Sequence, residues 1–166
     1  MRSIFLIFLL LVSGVFAYGQ QRVFNSNNKF SIIPIENWEN HSEDSSLVFS
    51  QSSQGALDLY SENIQIATFP ADGKTLDEIW NSWVIEDFPN SFNNYEVMGT
   101  GVLIINDKTV RWVDFKNRDF NFNFRDLAFL IVDNDVLYYI ICLSLEMDFE
   151  KTKNDFFKMI NTLEIY

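Results

Sequence analysis

Hydrophobic and polar residues alternate along most of this chain, and helical spacing interrupts the alternation twice. In "RDFNFNFRD" (118–126) Phe120, Phe122 and Phe124 alternate with Asn121, Asn123 and Arg125. An extended chain sends successive side chains to opposite faces, so one face here is phenylalanine and the other amide and guanidinium. The phenylalanine face is expected in a core. Short strands are predicted at 23–25 and 29–33 around an Asn-rich turn, then at 47–53 and 56–69 with "SSQG" between them. Strands at 96–105, 109–116, 120–132 and 136–145 follow, with turn signals at Asn106 and Asp107 and at Asp133, Asn134 and Asp135.

Helical spacing appears at Leu76, Ile79, Trp80, Trp83, Val84 and Phe88, which share one stripe. Thr75 and Glu78 form a capping box at its start, Asp77 sits in the first turn, and Pro89 is expected to stop the helix near Phe88. A second helix is predicted over 149–161, with Phe149, Phe156, Phe157, Ile160 and Leu163 as its stripe and Asp148 as N-cap. Residues 163–166 read as an extended tail. Tight turns between the late strands make that part of the sheet antiparallel. "VLYYIICLSL" is apolar on both faces and needs a covering layer on each side. The expected class is α+β: an antiparallel sheet of about six strands sandwiched by helices in three layers.

The alternation also suggests a hairpin. With Lys116 opposite Asn121, Phe115 meets Phe122 and Val113 meets Phe124 on one side, while Asp114 meets Asn123 and Trp112 meets Arg125 on the other. The second face is expected to become apolar beyond Leu127 through Ala128, Leu130 and Val132, covered by a helix there only. Its near end is expected to be open sheet bearing Trp112, Asp114, Lys116, Asn121, Asn123 and Arg125, with Arg125 stacked on Trp112. These six residues are the candidate binding patch; an ordinary solvated sheet face is the plainer reading.

Composition narrows the class. The chain has 166 residues, 48% of them apolar, which suits one buried core and argues against disorder. "MRSIFLIFLLLVSGVFAYGQ" carries a basic Arg2, an apolar run and small Ala17 and Gly19 before Gln20, the pattern of a cleaved secretory signal over 1–19. Its apolar stretch is shorter than the roughly 20 residues of a membrane-spanning helix. Loss of Arg2 leaves 11 basic against 23 acidic residues over 20–166, a net charge of −12. Such a domain is repelled by nucleic acid, and the same charge keeps an exported protein soluble. Cys142 is the only cysteine, so stability must rest on the core rather than on disulfides.

Candidate chemistry is sparse. One His and one Cys exclude Cys–His and multi-His zinc sites. Ser42, His41 and Asp44 adjoin one another in a polar stretch, an arrangement that seldom meets triad geometry. Cys142 lies mid-strand among apolar residues and reads as core. Asp133 and Asp135 lack the Gly and distal Glu of a calcium loop, and turn chemistry explains them. Trp80 and Trp83 read as core, and Trp38 as a cap over the core edge. No catalytic residue, cofactor or metal is assigned.

"FSIIPIENW" resembles the opening strand, Pro and Trp of the PsbP-like superfamily. Leu76, Asp77 and Glu78 at the middle helix, the "YYI" strand (138–140) and the Phe-rich last helix fit the same order of elements. The superfamily includes a photosystem II extrinsic protein, a Ran-binding import factor and small exported bacterial proteins. The resemblance implies an antiparallel sheet between helices and a non-catalytic, partner-binding role. No matched residue set for Ran or photosystem binding is present. The expectation is therefore a PsbP-like domain over 20–166, periplasmic or secreted. Its role would be a non-enzymatic interaction module for a protein or envelope component. It would have no nucleic-acid partner and no membrane span after cleavage. A carboxylate-dependent hydrolase and a small-molecule carrier are the alternatives, which a polar or an apolar cavity would favour.

Overall fold

The computed structural model describes residues 21–27, 29–43, 46–52 and 60–166. The expected signal segment, most of the "SSQG" turn and the start of the strand placed at 56–69 lie outside the described residues. Two antiparallel sheets are present. The smaller has order β1-β2-β10, from β1 (Val23–Asn25), β2 (Phe30–Ile32) and β10 (Glu164–Ile165), so the tail completes a sheet begun at the other end of the chain. The larger runs β3-β4-β5-β9-β8-β7-β6. Its strands are β3 (Trp38–Asn40), β4 (Ser46–Gln51), β5 (Asn63–Pro70), β6 (Glu96–Ile105), β7 (Lys108–Asp119), β8 (Phe122–Asp133) and β9 (Val136–Leu143). The class is α+β with an antiparallel sheet, as expected. Among the described residues the strands number seven and three rather than about six; β3 and β10 are the two that the alternation did not mark.

The first helical segment begins at α1 (Leu76–Trp80) with the capping box formed: Glu78 N–H donates to Thr75 Oγ1 and Thr75 N–H donates to Glu78 Oε2. The chain then widens into a π-helical stretch (Asn81–Asp87) and returns to α geometry in α2 (Phe88–Ser91). Pro89 was expected to stop this helix and does not. A proline clashes with the carbonyl four residues back in α geometry; here Phe88 N–H reaches back to Trp83 O, five residues away, and the wider winding accommodates the ring. The last helix is α3 (Phe149–Ile160). Asp148 holds its N-cap position but makes no side-chain capping bond; its carboxylate accepts from Lys151 Nζ at 2.6 Å instead.

Each face of the large sheet carries its own core. Leu127, Phe129 and Ile131 of β8 join Ile64, Ile66, Ile140, Cys142, Phe149, Phe156 and Met159, so α3 lies on that side. Ala128 and Leu130 join Val113, Phe115, Ile79, Trp80, Val84 and Phe88, so α1 and its continuation lie on the other. Trp38 packs edge-on against Phe156 at 5.8 Å, close to the expected cap.

The hairpin register differs from the expected one. Lys116 pairs with Arg125, Asp114 with Leu127 and Asp119 with Phe122. The pairing slides two residues along each strand, which leaves every side chain on its assigned face but moves the turn to Phe120 and Asn121. The expected continuation through Ala128, Leu130 and Val132 is also corrected. By strict alternation Arg125 continues into Leu127, Phe129 and Ile131, and the even-numbered residues belong to the opposite core.

Trp112 lies against the edge strand β6. A Cβ added at Gly101 would stand 2.7 Å from three Trp112 ring atoms, and one at Gly99 3.7 Å. Gly101→Ala is therefore expected to destabilise the fold by about 1–3 kcal/mol through overpacking, with Gly99→Ala well tolerated. Denaturant unfolding of the two variants checks the order.

Candidate functional site

The face expected to be open holds the start of α3. Arg125 leaves β8 on the α3 side and meets Asp114 of β7 in a two-pronged pair: Nε donates to Oδ1 and Nη2 to Oδ2, both at 2.9 Å. Asp114 is 4% exposed. Arg125 Nη1 donates to Glu150 of α3 at 2.8 Å, and Lys153 Nζ comes within 3.9 Å of Asp114. The guanidinium lies over the Phe149 ring at 4.3 Å. The expected stacking of Arg125 on Trp112 is replaced by this contact, because the corrected register pairs Trp112 with Phe129 and carries Arg125 two rungs away. Trp112 instead meets Phe157 edge-on at 6.4 Å. Lys116 is bound to Glu146 at 2.6 Å. The carboxylate of Asp114 raises the pKa of Arg125 above its ordinary value, against the effect of burial.

Of the six candidate residues, Asp114 and Arg125 are thus brought together and Lys116 is paired beside them. Trp112 is turned toward β6, and Asn121 and Asn123 stand exposed at the hairpin end. The hairpin end is a protrusion: Arg118, Asp119, Phe120, Asn121, Phe122 and Asn123 are all exposed. Phe120 is 90% exposed and Phe122 39%, while Phe124 turns edge-on to Tyr60 at 5.0 Å. The expected sealing of the phenylalanine face is corrected here, because the turn falls on Phe120 and the α1 layer covers only the far end. Glu146 N–H donates to Asn123 O, which sets Met147, 80% exposed, beside the tip.

Backbone geometry singles out the same place. Nine non-glycine residues among those described have positive φ, and seven of them are Asn or Asp, which tolerate it. The exceptions are Phe120 at φ 51° and Lys29 at φ 54°. A bulky side chain in the left-handed region costs about 1–2 kcal/mol and persists where the surroundings hold it.

The opposite face of the hairpin stem holds a second buried carboxyl. Asp126 is 1% exposed and accepts from Asn117 Nδ2 and, at 3.3 Å, from Ser144 N–H. Burial pushes its pKa up to about 7 against these two bonds. Nearby, burial raises Tyr60 to about 12, and it raises Tyr139 and the fully buried Cys142 thiol as well. Alternation could have singled out Asp126, which interrupts an otherwise apolar even-numbered row. The α3 partners Phe149, Glu150 and Lys153 had no such signal, since nothing in the sequence says where a helix will sit over a sheet.

His41 lies exposed with Glu39 at 3.8 Å, and Ser42 Oγ accepts from Val48 N–H at 3.0 Å. Among the described residues no group of three or more His, Cys, Asp or Glu is arranged to hold a metal ion.

No protein-family model matches this sequence, and no curated protein matches it. Solved structures do. LpqN of Mycobacterium tuberculosis, described as involved in cell envelope biogenesis, is similar with a TM-score of 0.67 and 8% identity, over 87% of this chain and 89% of that one. The cyanobacterial PsbP protein CyanoP of Synechocystis sp. PCC 6803 is similar at 0.61 and 12% identity, over 88% and 92%. The Ran-binding protein Mog1p of Saccharomyces cerevisiae is similar at 0.59 and 13% identity, over 89% and 95%. The chain has the fold shared by PsbP and Mog1p, as the resemblance in its sequence implied. At these identities the likeness is one of fold alone.

Two outcomes follow from the buried carboxylates. Arg125→Ala leaves the buried Asp114 with only the longer contact to Lys153, and should cost about 3 kcal/mol in chemical unfolding, whereas the double change Asp114→Leu with Arg125→Met should cost less than the single one. Asp126 keeps its proton in the folded chain at pH values where the unfolded chain has lost it. Its contribution to stability is therefore greatest below pH 4 and falls as pH rises from about 4 to about 7, by up to about 4 kcal/mol. Asp126→Asn should flatten that part of the stability–pH curve relative to wild type, measured by urea unfolding at a series of pH values.

Proposed function

We propose that this chain is an exported, non-enzymatic binding module of the cell envelope, docking a protein partner through the end of the β7–β8 hairpin. In this reading residues 1–19 are a signal peptide and 20–166 one PsbP-like domain, with the two cores supporting a three-layer arrangement of helix, sheet and helix. The single observation that carries the reading is Phe120, 90% exposed and held on a left-handed backbone. An exposed aromatic on a protruding turn serves as an anchor for a partner pocket. Asn121 and Asn123 supply hydrogen-bonding groups beside it, and Phe122 and Met147 add apolar area. Asp114, Lys116 and Arg125 lock the hairpin stem to α3 and its approach, and Trp112 locks it to β6, so the tip is presented without loss of freedom on binding.

A protein or envelope partner agrees with what is said of two neighbours in fold, one Ran-binding and one involved in cell envelope biogenesis. Among the described residues no helix is long and apolar enough to cross a membrane. The hydrolase alternative would need a pair of carboxylates across a cleft; the two carboxyls of the hairpin stem, Asp114 and Asp126, are both buried and do not supply it.

Phe120→Gly separates binding from folding by sign. It removes the anchor and relieves the backbone, so unfolding should show the variant as stable as wild type or more stable by about 0.5–1 kcal/mol. A photoreactive phenylalanine at Phe120, cross-linked in the native envelope and read by mass spectrometry, should return one recurring protein that the Phe120→Gly chain no longer retains in a pull-down. Equal retention by that variant would overturn the docking role of the tip.

A further inference from the structure

We propose that the cleft between the β1–β2 turn and the β8–β9 turn binds a saccharide ring carrying one carboxylate. The cleft has a volume of about 330 Å³ and is lined by Asn27, Lys29, Asn134, Val136, Tyr138 and Tyr166. That volume lies at the small end of ligand sites and suits one sugar unit or two. Lys29 is the second of the two residues that hold a positive φ without Asn or Asp chemistry to favour it. Its carbonyl is tied by Tyr166 N–H at 2.9 Å, which fixes the backbone of Lys29 at the rim of the cleft. Its ammonium has no carboxylate partner among the described residues, although acids outnumber bases in this chain by 23 to 12.

The walls are built rather than loose. Tyr166 hydroxyl shares a hydrogen bond with Ser31 Oγ at 2.8 Å and donates to Glu164 Oε2 at 2.8 Å, and its ring stacks on Phe24 at 6.2 Å and 20°. The result is a fixed aromatic plate, 58% exposed, beside the amide of Asn134. Asn134 Nδ2 donates to Asp133 Oδ2 at 3.1 Å, leaving its oxygen as an acceptor. Amide donors and acceptors match hydroxyl groups, an aromatic plate matches the C–H face of a pyranose, and one ammonium matches one carboxylate. A phosphate is disfavoured. Asp133 is offset by Lys108 at 2.6 Å, but Asp135, accepting from Gly73 N–H at 2.7 Å, has no cation beside it among the described residues, and a doubly charged ligand would meet that carboxylate with Lys29 alone in return.

The test is an amide NMR titration of the full chain with glucuronate, glucose and acetate. Glucuronate should shift the Lys29, Asn134 and Tyr166 resonances saturably, with glucose at least about tenfold weaker and acetate without effect at Asn134. Lys29→Met, a change at an exposed side chain, should bring glucuronate down to the level of glucose. The proposal is overturned if glucuronate produces no saturable shift at these residues. It is overturned equally if acetate reproduces the effect, or if Lys29→Met leaves it unchanged. Phe120→Gly should leave the titration unaltered, so this site stands or falls separately from the docking tip.

Discussion

Five consecutive residues of β8, Leu127 to Ile131, are at most 1% exposed, and the rest of the structure depends on hiding them from both sides. A strand offers its side chains alternately to two faces, so a run without a polar member cannot sit on a one-sided sheet. Each such side chain contributes about 1.5–3 kcal/mol when buried. Leu127, Phe129 and Ile131 therefore require α3, and Ala128 and Leu130 require α1 with its continuation. The smallness of Ala128 beside Val113 and Phe115 lets the bulk on that side come from Trp80, Val84 and Phe88. The π-helical widening follows from the same demand: the helix must keep running over the sheet past Pro89 to bring Phe92 against Phe115 beside Phe88.

Much of this was legible in the residues, for reasons that also explain the misses. Elements with long periodic signatures were readable: the capping box at Thr75, the stripe through Trp80 and Val84, and the paired strands around Asn106–Asp107. Strands of two or three residues carry too few positions for a period; β1 and β2 were readable from the Asn-rich turn between them, a cue that β3 and β10 lack. The hairpin register went astray because "NFNF" fits two registers equally, and a slide that preserves both faces produces no clash to reveal itself. What distinguishes the two lies within the hairpin: Asn117 reaches Asp126 only in the observed pairing, whereas Arg125 is diagonal to Asp114 in either. The candidate patch was legible in face and not in environment, since helix placement over a sheet is a tertiary fact.

Turn chemistry supplies a second kind of information. Asn37, Asp72, Asn94, Asn106, Asp107, Asn134 and Asp135 hold positive φ where their short polar side chains make it tolerable. Against that background Phe120 and Lys29 violate the rule the molecule otherwise keeps. Each is held by a hydrogen bond, Phe120 N–H to Asp119 Oδ1 and Tyr166 N–H to Lys29 O, and places where a local rule is broken are where function is expected to have set the residue. One lies at the tip of the longest hairpin and the other at the rim of a cleft, on side chains that make no core contact.

The hairpin stem shows how that tip is made stiff. Arg125 and Asp126 are neighbours in sequence and point to opposite faces, and each is tied to a buried acid's problem. Asp114 is met by a guanidinium in two bonds, and α3 adds Lys153. Asp126, with only an amide and a backbone N–H, shifts its proton affinity instead, so that the neutral form persists to near-neutral pH. Charge pairing clamps the stem to α3, while the other face is held by a group whose proton is in play. A rise in pH then charges Asp126 beneath Tyr60 and Phe124 without touching the clamp. Any loosening must begin on the phenylalanine side of the hairpin, the side from which Phe122 leads to the tip.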